Sequence, residues 1–345
     1  MTGMTPLDAI DDDEDDELER ITAARCRKIL VSQRKHLQQL KMPQNLPLFS
    51  NIDMLAKLLD LTEADQVVLT FAAGLTIFPE FSKAIAPQSV KTSTASFCRL
   101  LTNLTGIKEQ ELQRSLSHDG PFVTTGLVKV NRRNCDLEDK VSLMPGLEDV
   151  ILVPHKNVDN LVACFIRKAP APSLTLANFP HLHKDRTILL SYLGNALAEK
   201  TKGVNVLLHG KPGVGKNEFV QALAKVLNVD LYEVSYSDKD GDPIKGEARL
   251  RAYALCQHVL ARNPNAMLLF DEIEDVFDSG GNALSFLFGD NSDEPEYAKS
   301  SGKAWINRTL ENNPVPAVWI SNRVNQIDKA YLRRFDYSVN FPSRQ

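Results

Sequence analysis

Gly210-Lys211-Pro212-Gly213-Val214-Gly215-Lys216 fills every spaced position of the pattern GxxxxGK, directly behind the largely apolar run Val204 to Leu208. Glycines at these positions let the backbone turn tightly and approach an anion where any Cβ would collide with an oxygen. A buried strand that enters such a turn and leaves it as a helix points successive N–H groups and a helix amino terminus at one small space. That space suits a polyphosphate. Lys216 is the point charge expected on the β- and γ-phosphates, and the loop with Pro212 and Val214 forms the cradle. The next position, where Ser or Thr normally offers a hydroxyl oxygen to Mg²⁺, holds Asn217. An amide carbonyl is a hard ligand, but it reaches further, and Mg²⁺ demands near-octahedral geometry at short distances. Nucleotide binding should therefore survive on the backbone and Lys216, while metal positioning, and with it hydrolysis, is the step put in question.

A second apolar run ends Phe270-Asp271-Glu272. A carboxylate pair at the carboxyl end of a buried strand lies where open α/β sheets place their ligands. Asp271 is expected in the magnesium shell with Asn217, and Glu272 as the general base that polarises the attacking water. Glu274, Asp275 and Asp278 follow closely, so acids are locally common, and only Asp271 and Glu272 fall at the strand edge. The expected cofactors are ATP and Mg²⁺.

These residues need a scaffold, and the pattern around them supplies one. Helices are expected at Thr187 to Lys200, Asn217 to Leu227, Ala248 to Ala261 and Ala304 to Leu310. Between them lie apolar strands at Val204 to Leu208, Leu231 to Val234, Met267 to Phe270 and Ala317 to Ile320. Strands that are mostly apolar runs, each separated by a helix, imply a parallel sheet covered on both faces. The fold class is α/β, a doubly wound nucleotide-binding domain.

Four segments in this order, Gly210 to Lys216, Phe270-Asp271-Glu272-Ile273-Glu274, Trp319-Ile320-Ser321-Asn322 and Leu332-Arg333-Arg334-Phe335-Asp336, resemble the AAA+ ATPases, especially the AAA branch of protein remodellers. The resemblance covers about residues 174 to 345. It implies a P-loop NTPase fold and ATP hydrolysis, with Asn322 as the sensor that orients the attacking water. It also implies that Arg333 and Arg334 reach the nucleotide site of a neighbouring copy, so that the chain acts as a homo-oligomeric ring on a protein substrate. Two departures qualify this. Ile244, in Asp242-Pro243-Ile244-Lys245-Gly246-Glu247, stands where threading members carry a pore-loop aromatic, and Gly280 to Gly302 lies near a second pore loop. The sequence also stops at Gln345, where the family continues into a small helical lid.

The remaining half reads as a mainly helical domain at 19–167, after an acidic tail at 1–18 expected to be disordered. Leu18 to Leu40, Met54 to Leu59 and Val67 to Ala72 have helical spacing, with Asn51 and Thr62 as candidate caps. Phe97 to Leu104, closed by Thr105-Gly106-Ile107, and then Lys108 to Leu116 have helix-turn-helix grammar. Phe122-Val123, Leu127 to Val130 and Val141 to Leu143 could pair as strands around the polar Arg132-Arg133-Asn134 turn, so a winged-helix-like part is expected at about 94–147. Its presumed recognition helix balances acids against bases, which supports nucleic-acid binding only weakly. Ala169-Pro170-Ala171-Pro172-Ser173 marks a linker at 168–180, ahead of the nucleotide domain at 181–345.

The formal net charge is −4, of which the acids Asp11 to Glu17 carry −7, leaving +3 on the rest. No global field for nucleic acid or membrane follows. The five cysteines are scattered and never in ligand spacing, which fits a reducing, cytoplasmic setting. No apolar run approaches the roughly 18 residues of a membrane span. Three functions remain open from sequence: a remodelling ATPase, an ATP-binding scaffold that turns over poorly because of Asn217 and the missing lid, and a DNA-directed factor using the winged helix.

Overall fold

The computed structural model describes residues 46–85, 91–235, 246–277 and 305–342, with Lys28, Val31, Ser32 and Lys35 as isolated helical positions. The acidic tail, most of Leu18 to Leu40, the Ile244 loop and Gly280 to Gly302 lie outside the described residues. The chain divides into two units, Met1–Leu46 and Pro47–Gln345, and everything that follows concerns the second.

Eight strands are described: β1 (Val128–Val130), β2 (Val141–Leu143), β3 (Ile166–Lys168), β4 (Asn205–Gly210), β5 (Asp230–Val234), β6 (Ala266–Phe270), β7 (Ala317–Ser321) and β8 (Tyr337–Phe341). Six of them form one sheet in the order β3-β5-β6-β7-β4-β8. Every neighbouring pair from β5 to β8 is parallel, and β3 adds an antiparallel edge on β5. Helices His183–Glu199, Lys216–Leu227 and Gly246–Leu260 alternate with the strands, as does the helical stretch 305–312. The doubly wound α/β class expected from the sequence is the fold observed.

Why the central strands are largely apolar follows from the pleat, which sends successive side chains to opposite faces. Leu268 and Phe270 of β6, with Ala317 and Trp319 of β7, enter one core, while Met267, Leu269, Val318 and Ile320 enter the other. On the first face Trp319 packs 4.9 Å from Phe270 and 4.6 Å from Tyr253, centroid to centroid. On the second, Phe219 meets Phe179 at 5.2 Å and Phe341 at 5.4 Å in edge-to-face contacts.

The amino-terminal region departs from expectation in three places. Thr62 caps helix Glu63–Ile77 in a capping box with Asp65, but Asn51 caps nothing. It sits fully buried inside helix Pro47–Leu59 and donates through Nδ2 to the carbonyls of Ile151 and Val153, both at 2.8 Å. An interior amide and a cap look alike in sequence because both are short polar side chains. Phe122 and Val123 belong to helix Pro121–Thr125, where Pro121 at the first position favours a helix start, so the expected three-stranded wing reduces to the β1–β2 pair among the described residues. Arg132, expected on the wing turn, donates inward to the carbonyls of Leu116 and Ser117 at 3.1 and 2.9 Å.

Lys168, placed at the start of the linker, instead lies in β3, paired with Tyr232. The helical region and one face of the large sheet share a continuous core that runs from Leu55 and Phe97 to Leu268 and Trp319. Polar contacts join the same regions. Trp305 donates through Nε1 to the Val123 carbonyl at 2.9 Å, Arg262 reaches Asp60 at 2.8 Å, and Arg308 pairs with Asp119.

Candidate nucleotide site

The phosphate loop leaves the carboxyl end of β4 and closes on helix Lys216–Leu227. Gly210 has φ +148°, and a Cβ there would stand 2.4 Å from the carbonyl oxygen of Phe341 on β8. That clash is with backbone and cannot be relieved by a side-chain rotation. We expect Gly210→Ala to destabilise the fold by about 3 kcal/mol, measured by denaturant unfolding, since a strained φ alone costs roughly 1–3 kcal/mol. At Gly213, φ is +79° and nothing lies within 4 Å of where a Cβ would stand, which leaves the loop open on the side a phosphate would approach.

The order reversal of the parallel sheet falls at β4, which has β7 on one side and β8 on the other. His209 of β4 is in register with Ser321 of β7, so the loop and Asn322 emerge side by side at the carboxyl edge. Lys216 bridges them. Its ammonium donates to the carbonyls of Gly210 and Lys211 at 2.8 and 2.9 Å, and to Asn322 Oδ1 at 2.9 Å. Three donors meet three oxygens, standing in for the phosphate oxygens an ammonium would hold in a nucleotide complex. Lys216 is only 5% exposed. Burial pushes its pKa down from the usual lysine range, and the Asp271 and Glu274 carboxylates push back.

Across the crevice, Asn217 Nδ2 donates to Asp271 Oδ2 at 2.7 Å, so the two expected metal ligands are adjacent. They meet as donor and acceptor. Asp271 suits Mg²⁺ through its carboxylate, whereas Asn217 suits it only after its amide rotates to present Oδ1, which gives up this bond. Among the described residues, no group of three or more His, Cys, Asp or Glu side chains could hold a metal. Mg²⁺ held by one carboxylate together with nucleotide phosphates is the arrangement such a site permits.

Glu272 is exposed at the strand edge, with φ +52° and its N–H donated to Asp271 Oδ1 at 2.8 Å. Two residues that sequence reasoning did not assign complete the setting. Glu274 Oε1 accepts from the backbone N–H groups of Asn322 and Arg323 and from Ser321 Oγ, and so caps the end of β7 and fixes the backbone at Asn322. Arg249 grips the Asp271 and Glu272 carbonyls. Both contacts span more than twenty residues, so no local pattern signals them.

Arg333 and Arg334 are not brought to this crevice. They precede β8, which starts beside Val206 and ends beside Gly210, so they lie at the amino edge of the sheet, roughly 15 Å of strand away from the loop. Arg334 pairs with Glu311, and Arg333 is exposed. Neither can serve the phosphate loop of its own chain.

Residues 206–343 match the family described as ATPase family associated with various cellular activities (AAA). The Lon protease of Clostridioides difficile (strain 630) is 26% identical over 163 residues, 45% of this chain and 20% of that protein. Lon protease 1 of Borreliella burgdorferi is 27% identical over 161 residues, 44% and 20% respectively. The chain thus matches about a fifth of the length of these relatives. Among solved structures, the FIGL-1 AAA domain in complex with ADP is 16% identical, with a TM-score of 0.37, covering 52% of this chain and 59% of that one. A chain of the E. coli MS115-1 HORMA:CdnC:Trip13 complex is 17% identical, with a TM-score of 0.35, covering 53% and 72%. The part of the chain that carries the phosphate loop and the carboxylate-ended strand, residues 206–343, is thus the part that matches the AAA family model.

Proposed function

We propose that the chain binds ATP between the Gly210 to Lys216 loop and the Asp271-Glu272 strand end, hydrolyses it, and uses the cycle to remodel a protein substrate in an oligomer. The observation that carries this is the convergence of Lys216, Asn217, Asp271 and Asn322 on one crevice at the switch point of the sheet. Lys216 holds the β- and γ-phosphates, Asp271 faces the metal, Glu272 takes a proton from the attacking water, and Asn322 orients that water. What a bound Mg²⁺ supplies is neutralisation of the phosphate oxygens. Arg333 or Arg334 of a neighbouring copy adds guanidinium charge to the transferring phosphoryl group. The distance between those arginines and their own loop supports action between copies. The test is specific ATPase activity against protein concentration. Activity per chain that rises with concentration supports it, and constant activity contradicts completion by a neighbour.

A second reading, an ATP-binding scaffold with weak turnover, is favoured by the Asn217–Asp271 hydrogen bond, which satisfies the carboxylate without a metal. Asn217→Thr separates the two. If the amide is the defect, threonine should raise turnover about tenfold or more and make ATP affinity depend more strongly on Mg²⁺, read by calorimetry with Mg²⁺ and with EDTA. Unchanged turnover would remove the scaffold reading's physical basis.

A further inference from the structure

Arg249 stands in helix Gly246–Leu260, 2% exposed, well before the strand it touches in sequence. Its Nη1 donates to the Glu272 carbonyl at 3.0 Å and its Nη2 to the Asp271 carbonyl at 2.6 Å. Its guanidinium carbon lies 4.4 Å from the centroid of the Phe270 ring. One side chain thus contacts three consecutive residues at the point where the strand ends and the carboxylates begin.

That point is strained. Glu272 has φ +52°, in the left-handed region, where a residue with a Cβ crowds its own backbone. A planar fork of two N–H groups matches two neighbouring carbonyls in a way that a flexible ammonium cannot. Stacking on Phe270, itself locked against Tyr253 and Trp319, anchors the fork to the core. The exposed Glu272 carboxylate can point in a fixed direction only if the peptide that bears it is fixed. Its own N–H bond to Asp271 ties it within the turn, and Arg249 ties the turn to the sheet.

We propose that Arg249 is a positioning residue for hydrolysis: it holds the Asp271–Glu272 peptide in its left-handed turn and so sets where the Glu272 carboxylate meets the attacking water. This rests on the ATPase reading above. Misplacing a catalytic group by about 1 Å can cost on the order of 100-fold in rate. Arg249→Met should therefore lower kcat by about 10- to 100-fold, leave ATP affinity within roughly threefold, and leave Arg249→Lys intermediate.

Three measurements on the full chain judge it. In a Glu272→Gln background, Arg249→Met should lower residual turnover no further, because both changes remove one function. A multiplicative fall, or a raised KM at unchanged kcat, overturns the proposal. Amide hydrogen exchange over residues 271–273 should quicken in Arg249→Lys while residues 206–208 of β4 stay protected, and unchanged exchange overturns it even if the methionine variant fails to fold. ATP calorimetry on the unaltered chain separates the two levels. Absence of ATP binding sinks the ATPase reading, whereas binding with intact turnover in Arg249→Met sinks only this inference.

Discussion

Glu272→Gln should lower phosphate release by about 100-fold or more while ATP affinity stays within roughly threefold. The amide is isosteric with the carboxylate and leaves the backbone untouched, so the Glu272 carbonyl still accepts from Arg249 and its N–H still reaches Asp271 Oδ1. The left-handed φ is a property of the same backbone and asks no more of glutamine than of glutamate. What is lost is the capacity to take a proton. Steady-state phosphate release together with equilibrium ATP titration separates the effects. Turnover that survives in the glutamine variant would remove Glu272 as general base, and affinity lost in parallel would make its role one of binding.

Lys216→Ala carries the other large effect, on binding. A hydrogen bond to a charged group contributes about 1.5–3 kcal/mol, so loss of the ammonium should weaken ATP affinity by roughly 10- to 100-fold. The same substitution releases Asn322, whose Oδ1 accepts from Lys216, and the turnover that remains should fall further than affinity alone accounts for. The freed carbonyls of Gly210 and Lys211 sit in a loop whose neighbours are exposed, so water can replace the lost donor and stability should change little. Calorimetry on the folded variant reads the first effect. Affinity within threefold of the unaltered chain would remove Lys216 from the phosphate site.

Much of the nucleotide-domain fold was legible because its signals are local. The run Met267 to Phe270 is apolar at every position, and a strand buried on both faces requires that. The turn at Gly210 requires glycine because a neighbouring strand's carbonyl occupies the space of a Cβ. Where the reading failed, two structures shared one local sequence. Asn51 has the composition of a cap, yet carbonyls about a hundred residues away hold it in the core. Phe122-Val123 suits a strand until Pro121 starts a helix, and Lys168 precedes a proline-rich stretch whose signal hides an edge strand.

Taken alone, the sequence determined the phosphate loop, the carboxylate-ended strand and the order of the elements that carry them, since each depends on side-chain size, φ preference or burial period within a few residues. Tertiary structure alone decided how those parts address one another. It turned the Asn217 amide nitrogen toward Asp271, made Glu274 the cap of β7, and closed Arg249 over a strained turn. It also put Arg333 and Arg334 at the far edge of the sheet from their own loop. The reason is physical. Each of these outcomes is a directional contact or separation set by the packing of strands distant in sequence, and a hydrogen bond's partner is fixed by three-dimensional register, which no spacing along the chain encodes.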